Sequence, residues 1–129
     1  MRYLSEEEFL LSSRFLFLSM AILVIKQDIS NIQKGSLLKI KEPYIELLQK
    51  MEYEATVERR NLRSQMAKMQ LQVVSLDKND SFSSFLFLCK GREEKRNYFN
   101  PAIRKKVENI LHDLMKRASS SDHEVSTTS

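Results

Sequence analysis

Few groups in this sequence could act as a nucleophile or a soft metal ligand: Cys89, His112 and His123. A zinc site needs ligands spaced so that one turn or one helix face gathers them, as in CxxC or HxxxH, and no pair here has that spacing. Cys89 closes the apolar run FSSFLFLC, where a free thiol behaves as a small hydrophobe. A reactive thiolate needs a neighbouring base or cation and partial exposure. Lys90 and Arg92 supply the charge, which keeps an enzyme using Cys89 as a third reading. Glu93 and Glu94 stand between Arg92 and Lys95-Arg96, the pattern of a solvated ion-pair face rather than an acid/base dyad. Two glycines leave no P-loop and no G-x-G-x-x-G. No catalytic residue, metal or cofactor is therefore assigned, and the chain is expected not to be an enzyme.

Basic residues carry the other chemical signal. Arg59, Arg60, Arg63 and Lys68 precede a polar turn holding Lys78, and further cations follow at Lys90, Arg92, Lys95, Arg96 and Arg104 to Lys106. A helix followed by a β-hairpin is the order of a winged-helix DNA reader, with Lys78 riding on the wing. Arg59, Arg60, Arg63, Lys68 and Lys78 are thus the candidate nucleic-acid contacts. Acidic residues are interleaved throughout, so solvated helix faces account for the same charges.

The bulk numbers fit one soluble domain: 129 residues, 42% apolar, 29% charged, a net charge of +4 and one Cys. A single Cys excludes an internal disulfide and suits a reducing, cytoplasmic setting. The dense apolar run over residues 15–25 (FLFLSMAILVI) is shorter than the about 20 residues a bilayer crossing needs. Three glutamates precede it and no A-x-A site follows, so neither a membrane span nor a signal peptide is expected.

Local signals set the elements. Ser5 and Glu8 form an S-x-x-E capping box opening a helix over residues 5–33, with Gly35 as its stop. Its apolar residues point in every direction, which requires cover on most sides. A second copy covering part of it would make Phe15, Phe17, Leu18, Ile22 and Ile25 the candidate oligomer interface, and a monomeric core accounts for the same pattern equally well. Residues 37–41 (LLKIK) suit a short strand. Pro43 opens a second amphipathic helix over residues 43–69. Residues 71–76 and 82–89 flank the polar turn and read as a hairpin, although 82–99 also scans as one helix. In the hairpin reading, Gly91 releases a short charged helix over 92–99. Asn100-Pro101 starts a last helix over 101–116, with Asn100 as N-cap. The Ser/Thr-rich residues 118–129 are expected to form a disordered polar tail after a single domain over 1–117.

The segments LLKIKEPYIELL and DKNDSFSSFLFLCKGREEKRNYFNPAIRKKVENIL carry a resemblance. Gly91, Glu93, Glu94, Tyr98, Phe99, Asn100, Pro101, Ile103 and Arg104 match the pattern of the YhjD-like small proteins of Bacillus-type firmicutes, over residues 37–114. The resemblance implies a cytoplasmic bacterial protein and carries over no catalytic residue.

The sequence thus predicts a mainly helical α+β fold with a small sheet, winged-helix-like order among its options. The expected function is a non-enzymatic regulatory or interaction protein working through helix faces, with itself (as a homodimer) or another protein as partner. A winged-helix-like DNA-binding regulator is the alternative.

Overall fold

Ser5 and Glu8 close the box the sequence announces. The Ser5 backbone N–H donates to Glu8 Oε1 at 2.8 Å, and the Glu8 N–H donates to Ser5 Oγ at 3.2 Å. In the computed structural model, which describes residues 3–35 and 37–128 with side chains through 120, this box opens α1 (Glu6–Gly35). Then come α2 (Glu42–Met69), β1 (Leu71–Lys78), β2 (Phe82–Cys89), β3 (Arg92–Phe99) and α3 (Asn100–Thr128). Three helices pack on one face of a three-stranded antiparallel sheet of order β1-β2-β3, an α+β fold.

Two apolar clusters share α1. Its Phe17, Leu18, Ala21, Ile22 and Ile25 meet Met51 and Ala55 of α2 and Val107, Ile110, Leu114 and Ala118 of α3. Its first turns cover the sheet, where Phe85, Phe87 and Cys89 join Leu71, Met66 and Leu4. This apolar helix therefore finds much of its cover within one chain, from two helices on one side and a sheet on the other, with Leu10, Leu23 and Val24 left exposed.

The hairpin forms as read, and β2 explains why. Ser83, Phe85, Phe87 and Cys89 are buried while the intervening residues are half-buried, the period of two expected of a strand covered on one face. Two of the joints are left-handed. Gln70 ends α2 at φ 58° and ψ 41°, and Lys90-Gly91 (φ 50° and 82°) joins β2 to β3 in the two-residue turn that suits twisted strands.

Four expectations are corrected. Residues 92–99 are β3, not a helix, because pairing sets Arg92 beside Cys89, Glu94 beside Phe87 and Arg96 beside Phe85. Cross-strand partners share a face, so three charged residues point toward the helices. Each is matched there: Arg92 by Glu8, and Glu94 and Arg96 by one another. Residues 37–41 form no strand, and Leu37 stands fully exposed in the α1–α2 connection. The Asn100 side chain ties the hairpin down instead of serving only the helix start: its amide donates to the Asn79 carbonyl at 2.9 Å and its Oδ1 accepts from Ser83 Oγ at 2.7 Å. Finally, α3 does not stop near residue 116. Ala118, the first residue of the expected tail, is fully buried against α1 and α2. The rest of that expectation, from residue 121 on, concerns side chains outside the described residues.

Candidate functional site

Cys89 sits at the end of β2 with 1% exposure, its Sγ 3.4 Å from Glu8 Oε2 and 3.4 Å from the Met69 carbonyl oxygen. Arg92 Nη2 donates to the same Glu8 oxygen at 2.7 Å. Burial first, and the adjacent Glu8 carboxylate second, push the thiol above its ordinary value, so this environment holds it protonated. The Arg92 guanidinium and the Ser5 N–H hold Glu8 well below the usual carboxylate range, at about 2. As a geometry, the trio fastens the start of α1 to the β2–β3 turn. It does not arm a nucleophile. Among the described residues no three metal-ligating side chains converge.

A second charged knot joins the helices. Arg14 Nε and Nη2 fork onto Glu58 at 2.7 and 3.0 Å. Arg117 reaches the same carboxylate at 3.3 Å and Asp113 at 3.1 Å. Arg14 is the main cause holding the Glu58 carboxyl below its ordinary value.

The five candidate nucleic-acid residues differ in their surroundings. Arg59 is committed to α1: its Nε donates to Ser19 Oγ at 2.7 Å and its guanidinium lies 4.7 Å from the Phe15 ring centre. Arg60, Arg63 and Lys68 are exposed along α2, and none makes an ion pair among the described residues. Lys78 lies at the far end of β1, seven residues and roughly 23 Å from Leu71 at the strand's start.

The expected oligomer interface is corrected as well. Phe17, Leu18, Ile22 and Ile25 are inside the chain's own core, covered by α2 and α3, and Phe15 is half-buried under Arg59. Phe17, Leu18, Ile22 and Ile25 therefore offer no seam to a second copy. By length and composition α1 could also cross a membrane, though a third of its most apolar stretch is buried within this fold.

One stretch of open apolar surface is concave. Between the β1–β2 end of the sheet and helices α1 and α3 runs a groove of about 680 Å³. Met20, Val24, Leu76, Phe85, Ile103, Val107 and Leu111 line it, with Asp77, Lys78, Arg104 and Glu108 among its polar residues. A register slip between Ser75 and Lys78 sets one extra β1 residue against β2 at this rim. Sequence reasoning missed the groove because its lining comes from four elements. The one local sign was surplus: Val24 and Leu76, both apolar, remain 38% and 43% exposed. It missed the Glu8–Arg92 tie for the same reason, since the partners are 84 residues apart.

No solved structure matches this chain. A Bacillus subtilis (strain 168) protein, named "Uncharacterized protein YhjD", is 33% identical over 108 residues, covering 84% of this chain and 89% of that protein. The family model described as "YhjD protein" matches residues 3–119, which takes in α1 and so exceeds the 37–114 span of the sequence resemblance. By both measures, the chain belongs to the YhjD family.

Proposed function

We propose that this chain is a non-catalytic interaction protein whose binding surface is the groove between the hairpin and helices α1 and α3. The observation that carries the reading is the groove's composition. An apolar floor with a few charged and hydroxyl groups at the edge is the usual make-up of a recognition cleft, and exposed apolar patches on soluble domains tend to mark contact sites. Val24, Met20 and Ile103 would hold apolar side chains of a partner, while Lys78, Arg104, Asp77 and Glu108 fix its orientation. Enzymatic use of Cys89 fits less well, because its thiol is buried and held protonated.

The test is site-specific photocrosslinking in cells, with the probe at Asp77 or Arg104 on the rim and at exposed Ser64 on α2 as control. Discrete protein adducts from the rim positions, lost on Val24→Lys, support the reading. Equal labelling from Ser64, or none from the rim, would sink it.

DNA binding is kept as a second reading on one observation: Arg60, Arg63 and Lys68 are exposed on one helix with no ion pair among the described residues. Fluorescence anisotropy with duplex DNA at two salt concentrations decides it. Contacts to Z phosphates give a log–log slope of about −0.9Z. A steep slope that Arg60→Ala or Arg63→Ala flattens would establish it, and absence of binding at low salt would remove it.

A further inference from the structure

Both edges of the sheet are open, and they differ in charge. β3 carries Arg92, Glu93, Glu94, Lys95 and Arg96 in succession, whereas β1 carries no charge from Leu71 through Leu76. Along β1 the backbone bonds to β2 on one side, and no other backbone hydrogen bond from residues 71–78 occurs among the described residues. Natural sheets blunt exposed edges with charges, inward-pointing ones included. β3 is blunted in this way. β1 is not, apart from its final Asp77 and Lys78.

We infer that a second copy of this chain pairs with β1, antiparallel and edge to edge, so that two three-stranded sheets become one of six strands. This goes beyond the groove reading above and concerns a second surface, the free edge of β1. Three observations choose the occupant and the register. First, antiparallel partners must share a face, and the register slip after Ser75 confines regular pairing to residues 71–75, whose centre is Val73. About that centre Val73 meets Val73, Gln72 meets Val74, and Leu71 meets Ser75, with no charge opposed. Centred on Glu94, the same operation on β3 sets Glu94 against Glu94 and Arg92 against Arg96, with Glu93 against Lys95 of opposite charge, so every self-pairing there opposes charges and that of β1 opposes none. Second, β1 is apolar on an exposed edge, with Val74 41% exposed. Third, room exists for the added side chains. A hollow of about 370 Å³ flanks the first half of β1, lined by Phe15, Arg63, Met66, Leu71 and Val73 among others. Strand addition uses such hollows, because main-chain bonds give affinity and alternate side chains need a recess.

Sedimentation equilibrium on the full chain tests this. The wild type is expected at twice its 15.2 kDa mass. Gln72→Lys/Val74→Lys sets like charges opposite one another twice and should weaken the dimer roughly tenfold or more. Gln72→Lys/Val74→Glu restores opposite charges in the Val73-centred register and should keep it. Hydrogen exchange supplies a measure that needs no variant: protection of amides 71–75 should rise with protein concentration. A monomeric wild type at ~100 μM, a dimer indifferent to the double lysine, or protection unchanged with concentration overturns the inference. A partner-specific adduct from the groove rim would still stand in each of those cases, so the two failures are distinguishable.

Discussion

Glu8 and Arg92, 84 residues apart, meet at 2.7 Å through Oε2 and Nη2, while the other Glu8 oxygen closes the capping box with Ser5. One carboxylate therefore both starts α1 and anchors it to the β2–β3 turn. Its pKa falls from 4.5 to about 2, chiefly through Arg92.

That depression fixes a pH window. The folded value lies below the unfolded one, so the contribution is complete above about pH 4.5 and is lost as pH falls through about 2. Thermal melts of wild type and Glu8→Gln should differ at pH 6 to 7 and converge toward pH 2. A constant gap across that range would show that the charge is not what Glu8 contributes.

Cys89 should resist aromatic disulfide reagents in the folded protein and react fully once denaturant unfolds it, since its thiol is buried and held protonated. Fast labelling under native conditions would contradict the buried geometry.

Gln70 and Lys90 adopt left-handed backbone angles that disfavour residues with a Cβ. Gln70→Gly should stabilise the fold by about 0.5–1 kcal/mol, and Lys90→Asn by a few tenths, Asn-Gly being a favoured pair for this turn. Urea midpoints measure both. A fall in either midpoint would count against the turn geometry.

Arg14, Glu58 and Arg117 tie three helices with charge-assisted bonds, yet their side chains keep 27–39% of their exposure. Solvent screening reduces the value of such a network. Glu58→Gln should therefore cost about 1 kcal/mol in chemical denaturation, rather than the 3–5 kcal/mol expected for breaking a fully buried pair. Added salt should narrow the difference.

What the sequence made legible was local. The capping box at Ser5, the α2 start near Pro43, the hairpin across residues 71–89 and the helix start at Asn100-Pro101 all rest on neighbours within a few positions. β3 was not legible, because its charges look solvated until Glu8 and the β2 register are in place. The apolar surplus of α1 was visible, but whether another copy or this chain covers it was not, since nothing in the local pattern says that α3 returns to lie on Ile22 and Ile25. The basic residues were legible as exposed, for Arg60, Arg63 and Lys68. Where Lys78 stands relative to them depends on the length of β1 and the direction it takes.

The burial of Ala118 also bears on how the chain is made. α1 leaves the ribosome before α3, its residues 15–25 apolar on every side, and part of its cover (Ile110, Leu114 and Ala118) is among the last of the described core to be synthesised. Until those residues emerge, the nascent chain carries an unshielded apolar helix, the kind of surface on which chaperones and aggregation compete. Folding of the three-helix core therefore waits until α3 has emerged, and a chain halted before residue 118 would lack part of the cover that α1 requires.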